Sequence, residues 1–336
     1  MGIDRFESNA SVISEELPLS YVRTVDRTLL HRSALSEVFL TDYRHQDPSR
    51  FLAAAQLPAS HAYYTDHLSQ SRVLDPLLLL ECCRQAETYA GHAHFDIPHD
   101  QNFILKSWSM TYEPTPAPAP GTPPAELRIE VETADEKRLR GQLRGVTYVM
   151  AMVLGAERIG EVRMDVGYLP SEVYRSLRHG RRPDAPALSD LLPPRPVDAL
   201  ADAASVDRAD RRNVVLGTVD RTGPLAGNAL LLAPFDNPSM FDHRQDHLPG
   251  MVMMEAARQL GLYVMADGAP APAAVMTGFT ADFFQYAELD RPTLVTARPA
   301  PDTAGADTVL EISFEQESTV VASGRITLRA ADGLPG

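Results

Sequence analysis

Two apolar segments of the chain carry the same polar side chains at the same spacing. The first segment, LLLLECCRQAETYA, contains Glu81, Arg84 and Gln85. The same residue types recur in the second segment, MVMMEAARQLGLYV, as Glu255, Arg258 and Gln259. Residues at i, i+3 and i+4 share one face of a helix, so each segment presents a carboxylate, a guanidinium and an amide together. Because an unpaired carboxylate is costly to bury, the repeat indicates an internal duplication that retained a polar cluster.

These residue types can supply a general base and cationic hydrogen-bond donors to a catalytic site. Glu81 and Glu255 are the candidate bases, because burial on an apolar helix raises the pKa of a carboxyl group. We assign substrate binding to the cationic and amide side chains, Arg84, Gln85, Arg258 and Gln259. The alternative is that each Glu–Arg pair is only a helix ion pair. Duplication inside an apolar helix favours catalysis by at least one Glu, because apolar packing would serve stability as well.

A helix start with unusual residues precedes the second cluster. Pro249 suits the first turn of a helix, and Gly250 lets another group come close to the backbone. The backbone N–H groups around Gly250 and Met251 are therefore candidate donors to a substrate oxygen. The first helix has Asp75-Pro76 at this place and no glycine. We therefore expect the second half to hold the working site, with Glu255 as its base.

Three histidines in predicted loops are further candidates for contacts with a substrate. His243 and His247 precede the second helix, and His61 holds the corresponding place in the first half. We assign His247 a catalytic role and the other two the orientation of a phosphate or an acyl group. The alternative is that all three are solvated or capping residues.

The elements that must position these residues follow from the hydrophobic pattern. Apolar periodicity predicts two long helices, at 76–92 and 250–266. Alternating patterns predict strands at 127–131, 145–153, 158–166, 213–219, 228–232, 293–298, 308–315 and 318–330. The proline-rich stretch at 113–124 (EPTPAPAPGTPP) cannot lie inside a sheet, so it connects two elements.

Each half of the chain thus has one long helix followed by antiparallel strands. A helix that is apolar nearly all round must be covered on every side, which predicts a sheet wrapped around it. This is the hotdog arrangement, and the predicted fold class is an α+β tandem hotdog. We divide the chain into a loose N-terminal arm, a first hotdog domain, an interdomain linker rich in Pro, Ala and Asp, and a second hotdog domain, at 1–20, 21–179, 180–212 and 213–336.

Composition limits the classes of partner. The 336 residues carry a net charge of −14, which argues against a nucleic acid partner. The N-terminal residues do not resemble a signal peptide and no stretch approaches the roughly 18 apolar residues of a membrane span, so we expect a cytoplasmic protein without a membrane partner. Cys82 and Cys83 are adjacent and lack disulfide or metal-ligand spacing. We expect them to pack in the core, and we expect no metal and no cofactor. Two oligomeric states remain open, a monomeric pseudo-dimer and a homodimer.

The densest basic run is YRSLRHGRRP, whose arginines are Arg175, Arg178, Arg181 and Arg182. The acidic chain would repel an acidic carrier protein, so a local basic patch would be needed to recruit one. We therefore assign this run to carrier-protein docking. The alternative is a solvated helix end.

Longer motifs resemble a known family. The run DHLPGMVMME at 246–255 resembles the segment that opens the central helix of hotdog dehydratases acting on acyl carrier protein thioesters. Together with LHRSALSEVFLTDY at 30–43, LDPLLLLECCRQA at 74–86 and FQYAELD at 284–290, it resembles the A-factor biosynthesis hotdog family. Members of that family begin the synthesis of γ-butyrolactone and related furan or butenolide signals in actinomycetes. The resemblance extends over roughly residues 22–327.

The resemblance implies a specific reaction. A β-ketoacyl group would pass from acyl carrier protein to the hydroxyl of dihydroxyacetone phosphate, and the ester would then cyclise to a butenolide. The chain departs from the family pattern at Leu74, where a His is usual, and at Asn237-Pro238 and His61-Ala62, where His-Pro is usual. None of these positions lies in a Glu-x-x-Arg-Gln cluster, so they bear on substrate detail more than on class.

Two other functions stay open. A hotdog dehydratase or thioesterase would hold the same thioester but release an enoyl product or a free acid, and it would ignore dihydroxyacetone phosphate. A non-catalytic acyl-binding protein would keep its affinity after both glutamates of the clusters were removed.

Overall fold

Twelve strands form a single antiparallel sheet in the described part of the chain. The computed structural model describes residues 18–69, 73–119, 121–182, 184–266, 274–301 and 306–330, so most of the predicted N-terminal arm lies outside it. The strands of the first half are β1 (Leu40–Asp47), β2 (Arg50–Leu57), β3 (Gln101–Tyr112), β4 (Ala125–Leu139), β5 (Gln142–Leu154) and β6 (Glu157–Pro170). Those of the second half are β7 (Asp220–Gly223), β8 (Ala226–Leu231), β9 (Ala274–Phe283), β10 (Thr293–Pro299), β11 (Thr308–Gln316) and β12 (Thr319–Ala330).

The strand order shows an internal two-fold relation. From edge to edge it is β1-β2-β4-β5-β6-β3-β9-β12-β11-β10-β8-β7. Counted outward from the central β3–β9 pair, both halves have the same topology. Met110 pairs with Phe279 and Ser107 with Asp282 across this junction. The two halves therefore share one sheet.

Each half has one buried central helix. In α1 (Pro76–Ala93), 15 of the 18 residues are buried. In α3 (Gly250–Met265), 12 of the 16 residues are buried. Both helices contact the strands of their own half. The predicted tandem hotdog is confirmed, because a helix buried on nearly all faces has to be enclosed by its sheet. A third helix, α2 (Ser171–Arg181), follows β6.

The two halves also begin alike. Residues 26–32 and 202–208, here called the lead segments, each form a 3₁₀ turn that starts with a capping aspartate. Each turn ends at a residue with left-handed backbone, His31 (φ 53°) in the first and Asp207 (φ 60°) in the second. The next residue of each lead segment is an arginine. The second lead segment lies within 180–212, the stretch predicted as a linker, so part of that stretch repeats an element of the first half.

Most predicted elements are confirmed, namely both long helices and strands β4, β5, β6, β8, β10, β11 and β12. Residues 213–219 are not a strand, since Asn213 ends a 3₁₀ turn and Leu216 and Gly217 form only isolated bridges. Strands β1, β2, β3, β7 and β9 were not predicted. Burial does not alternate over the first seven residues of β3 or the first four of β9. Both lie in the middle of the sheet, where a strand loses the two-residue pattern that identifies it in a sequence.

Candidate active site

The first cluster, defined here as Arg32, Glu81, Arg84 and Gln85, surrounds one buried carboxylate. Arg84 donates from Nε and Nη2 to the two oxygens of Glu81, at 2.7 and 2.8 Å. Gln85 donates to it at 2.8 Å, and Arg32 of the first lead segment also donates to it. Burial raises the pKa of Glu81, but the two arginines outweigh this effect and lower the pKa to about 2. Glu81 is therefore an ionised anchor for two guanidinium groups.

The second cluster, defined as Arg208, Glu255, Arg258 and Gln259, repeats this arrangement. Arg208 donates to Glu255 from Nε at 3.0 Å and from Nη2 at 2.7 Å. Arg258 donates to the other oxygen from Nε at 3.0 Å and from Nη2 at 2.5 Å, and Gln259 donates as well. Burial again raises the pKa of the carboxyl, and the arginines lower it overall. The expectation of a raised pKa at the two glutamates is wrong, because their arginine partners outweigh desolvation.

Residues of the first half close the second cluster. The Tyr63 hydroxyl donates to Glu255 at 3.0 Å, and the guanidinium of Arg208 lies 4.6 Å from the centre of the Tyr63 ring. The Asp75 carboxylate caps α1 by accepting a backbone N–H at 2.7 Å, and it also accepts from Nη1 of Arg258 at 2.9 Å. All three nitrogens of Arg258 are thus occupied by side chains of the protein. Arg258 therefore has no nitrogen left for a substrate.

The first cluster instead opens into a polar cavity of about 230 Å³, lined by Arg32, Glu81 and Arg84. Arg84 binds Glu81 through Nε and Nη2, so its Nη1 is available to a ligand where Nη1 of Arg258 is not. The buried Nε of Arg32 also makes no hydrogen bond within the described residues. The cavity therefore offers guanidinium donors that the protein itself does not use.

The second half contributes the start of α3 to the same cavity, through Gly250 and Met251. The N-cap of this helix, Pro249, provides no side-chain cap. The N–H groups of Val252 and Met253 donate to the Pro249 carbonyl, which leaves those of Gly250 and Met251 for a ligand. Glu255, the predicted base, does not line this cavity, and its catalytic role stays a prediction. Both halves build the cavity, and Gly250 lines it together with Glu81.

An apolar cavity of about 260 Å³ adjoins the polar one. Its lining is mostly aromatic and aliphatic and includes Met253 and Leu177. The two cavities share four lining residues, Phe103, Leu105, His247 and Gly250. A cβ atom at Gly250 would lie 3.1 Å from the Trp108 ring, so the glycine keeps this junction open. A ligand with an apolar part and an anionic part fits such a pair of cavities.

His247 lies at the junction, and Asp246 fixes the orientation of its ring. Nδ1 of His247 is 2.6 Å from the Asp246 carboxylate. Burial raises the pKa of Asp246, but His247, Tyr174 and Arg178 together lower it to about 2. The ionised carboxylate accepts from Nδ1–H, so Nε2 of His247 is left for proton exchange or a ligand.

The other two histidines have different positions. His243 lines the polar cavity, where burial and the neighbouring Arg32 and Arg84 lower its pKa. His61 lines neither of the two cavities. Its Nε2 is 3.4 Å from Glu37, and its Nδ1 accepts backbone N–H groups of the loop that follows. These contacts hold a loop in place.

The arginine run after β6 does not form a surface patch of four. Arg178 donates to Glu288 at 2.8 and 2.9 Å, and Arg182 donates to the same carboxylate at 2.8 Å. Both arginines are buried, because they neutralise acidic residues of the second half. Arg175 is exposed, and the side chain of Arg181 lies outside the described residues. The docking role of the run stays a prediction, for which Arg175 is the exposed candidate.

Comparisons with known proteins identify the family of this chain. The model of the A-factor biosynthesis hotdog domain matches residues 13–169 and 191–332. The chain belongs to this family. It is similar to a 2-oxo-3-(phosphooxy)propyl 3-oxoalkanoate synthase of Streptomyces virginiae, with 34% identity over 309 residues, 92% of this chain and 98% of that protein. It is similar to a protein of the same name from Streptomyces coelicolor, with 26% identity, 88% of this chain and 89% of that protein.

Among solved structures, the pyran synthase domain from module nine of the sorangicin pathway has a similar fold. Its TM-score is 0.50 at 15% identity, over 87% of this chain and 98% of that one. Within the described residues of this family member, no helix is long and apolar enough to cross a bilayer, and no group of three or more His, Cys, Asp or Glu side chains is placed to hold a metal ion.

Several residues of the two clusters and their surroundings were not predicted from the sequence. Arg32 and Arg208 each follow the left-handed residue of a lead segment, and the signal was the shared Arg after a short apolar turn that starts with Asp. Tyr63 and Asp75 come from the first half and act on the second cluster, a contact that no spacing within one helix predicts. Glu87 lies on α1 beyond the Glu-x-x-Arg-Gln pattern and also lines the polar cavity.

Proposed function

We propose that this chain is an acyltransferase that moves a 3-oxoacyl group from the thioester of an acyl carrier protein to the hydroxyl of dihydroxyacetone phosphate. The product would be the 2-oxo-3-(phosphooxy)propyl ester of a 3-oxoalkanoate, the compound for which its relatives are named. The observation that carries the proposal is the junction of an apolar cavity with a guanidinium-lined one at His247 and Gly250. The acyl chain would occupy the first cavity and the phosphorylated acceptor the second.

The acceptor's phosphate binds to the arginines of the first cluster. Guanidinium groups suit a phosphate because their N–H donors match its oxygens. Arg84 offers Nη1 and Arg32 offers Nε, while Glu81 holds both side chains in place. Gln85 supports Glu81 and is itself fixed by Phe39, whose N–H it accepts at 2.9 Å.

The thioester carbonyl lies at the start of α3. As the acceptor oxygen attacks, negative charge develops on the carbonyl oxygen, and the free N–H groups around Gly250 and Met251 stabilise it. One such donor contributes roughly 10²–10³ in rate. His247, oriented by Asp246, gives a proton to the sulfur that leaves.

The carrier protein docks near α2. Leu177 of this helix lines the apolar cavity and is exposed, as is Phe284. Arg175 lies on the same helix and is exposed. A carrier protein held here would bring its thioester to the cavity that takes the acyl chain, and Arg175 would offset the negative charge of this chain.

Mass spectrometry of the products tests the proposed function. The purified protein is mixed with a β-ketoacyl carrier protein, with and without dihydroxyacetone phosphate. We expect the phosphorylated ester only when the acceptor is present. A free acid formed at the same rate with and without acceptor would support a thioesterase instead. An enoyl product from a β-hydroxyacyl carrier protein would support a dehydratase.

A further inference from the structure

Glu87 is a buried carboxylate that lines the polar cavity, and one of its oxygens makes no hydrogen bond of normal geometry within the described residues. It lies one helical turn after Arg84 on α1 and is only 4% exposed. Its Oε2 accepts from the Thr88 hydroxyl at 3.1 Å. Its Oε1 is buried and has no hydrogen-bond partner within the described residues. A buried oxygen without a partner is costly, so such an atom in a cavity points to a ligand that completes it.

The other carboxylates that line this cavity differ from Glu87. Glu81 is saturated by Arg32, Arg84 and Gln85. Asp242 accepts two backbone N–H groups, from Ser33 at 2.6 Å and from Ala34 at 2.8 Å. Both carboxylates therefore have protein donors on both of their oxygens. Glu87 alone among these three keeps an acceptor for a substrate.

The surroundings of Glu87 make it suitable for proton transfer near neutral pH. Burial raises the pKa of Glu87 to about 7, against the opposing effects of Arg84 and of hydrogen bonds from the Thr88 and Tyr168 hydroxyls. The phenols of Tyr148 and Tyr168 are its titratable neighbours from β5 and β6. The remaining titratable or charged groups that line the cavity are His31, Arg32, Tyr63, Tyr64, Glu81, Asp242, His243 and His247. A general base works best when its pKa is close to the operating pH.

The second half has no counterpart of Glu87. Gly261 follows Glu255 at the distance at which Glu87 follows Glu81. A cβ atom at Gly261 would lie 2.5 Å from Cδ1 of Ile326, so this place cannot hold a side chain without repacking. The ion pairs of the cluster thus occur in both halves, whereas this carboxylate occurs only on α1, the helix whose cluster lines the polar cavity.

We propose that Glu87 is the general base of the acyl transfer, a role that rests on the function proposed above. Its Oε1 takes the proton of the acceptor hydroxyl as the acceptor oxygen forms a bond to the thioester carbon. The tetrahedral oxyanion then collapses, the C–S bond breaks, and the sulfur leaves as a thiol with a proton from His247. Glu87 returns its proton to solvent and His247 takes one up, so no net proton is consumed.

The test compares Glu87→Gln with the wild type in steady-state assays with a β-ketoacyl carrier protein and dihydroxyacetone phosphate. The amide keeps the size of the side chain but cannot accept the proton. We expect kcat to fall by about 10²–10⁴, the usual contribution of a general base, while KM for the acceptor changes less than about threefold. Glu132→Gln, an exposed change on β4, is the matched control and should leave both constants unchanged. A melting curve checks that Glu87→Gln is folded.

The pH profile separates a base from a residue that only holds the cavity in shape. In the wild type, kcat/KM should rise with pH through the pKa of Glu87, about 7, because the base must be ionised. Glu87→Gln should lose this rise. Glu87→Asp, which retains a carboxylate, should recover part of the rate and keep a rise.

Each result has one meaning. If the wild type forms the ester and Glu87→Gln keeps its kcat and its pH profile, the proposal for Glu87 is overturned while the proposed function stands. A rise in acceptor KM at unchanged kcat would make Glu87 a binding residue and also overturn it. If the wild type forms no ester from these substrates, the proposed function fails, and the role of Glu87 fails with it.

Discussion

The two Glu-x-x-Arg-Gln clusters have the same internal geometry but different surroundings. Around Glu81, Nη1 of Arg84 and the start of α3 have no partner within the described residues, and Arg84 and the start of α3 line the polar cavity. Around Glu255 the Asp75 carboxylate takes both places, as the cap of α1 and as the partner of Arg258. Asp75 thus stands where an anionic part of a substrate would stand in the first cluster. In the second cluster the Asp75 side chain takes this place, whereas the first cluster opens into the polar cavity.

This difference shows that a motif alone does not identify a working site. The second helix has the Pro-Gly start that suits a thioester, and the first helix has the carboxylate cluster that faces it. Because α1 and α3 cooperate across the junction of the halves, the open site combines the Glu of one half with the glycine of the other. The closed site combines Glu255 of the second half with the start of α1 in the first half, which Asp75 caps.

Equivalent arginine substitutions should separate the two clusters most strongly. Arg84→Ala should lower kcat/KM for dihydroxyacetone phosphate by about 10³, because it removes a charged hydrogen-bond donor to the phosphate of the acceptor. Arg258→Ala should leave Asp75 and Glu255 short of a buried partner and lower the free energy of unfolding by about 3–5 kcal/mol. Steady-state kinetics and thermal melting measure the two effects. A larger loss of acceptor use in folded Arg258→Ala than in Arg84→Ala would reverse the assignment of open and closed clusters.

Pro249→Asp should convert the open site toward the closed one. An aspartate at the N-cap of α3 would occupy the helix N-terminus as Asp75 does in α1, so we expect activity to fall by about 10². The same change should stabilise the helix by about 0.5–2 kcal/mol, since capping is favourable. Pro249→Ala, which adds no carboxylate, is the control. Full activity of Pro249→Asp in the ester assay would show that the free helix start is not used.

Acid stability should report the shared feature of the clusters. The folded pKa of Glu81 is lowered from 4.5 to about 2. A lowered folded pKa stabilises the protein above the unfolded pKa, and this contribution is lost as pH falls from about 4.5 toward 2. Glu81→Gln should therefore start with lower stability at pH 7 but lose less of it across this range. Denaturant melts at several pH values measure the slope, with Glu172→Gln as an exposed control. Equal slopes for wild type and Glu81→Gln would contradict the lowered pKa.

The smallest effect is expected at the docking surface. Arg175→Ser should raise KM for the carrier-bound substrate about two- to fivefold at low salt, because an exposed charge contributes little and is screened. Small thioester analogues should react unchanged. Arg298→Ser, on β10 of the other half, is the matched exposed control. An equal loss with carrier-bound and small donors would assign Arg175 a structural role.

The sequence predicted the fold class and both central helices, but it did not predict which distant strands pair or which side chains of the two halves meet. Both helices were predicted because their polar residues stand out in apolar surroundings, and the duplicated pattern implied two halves. The edge-to-edge pairing of β3 and β9 was not predicted, since pairing across such a distance leaves no local pattern. For the same reason the sequence did not show that Gly250 faces Glu81, or that Asp75 reaches Arg258. The pKa direction at the glutamates was wrong because the arginines that set it, Arg32 and Arg208, come from separate segments.

The junction of the sheet has a consequence for synthesis on the ribosome. Until β9 emerges, β3 is an exposed edge strand with unpaired backbone groups, and such edges bind other chains. In the chain, α2, the second lead segment, β7, β8 and α3 all precede β9, so β3 lacks this partner until most of the protein has been made. A first half made alone would seek that partner in another copy of itself. The cavity is built by both halves, so the enzyme can become active only when translation is nearly complete.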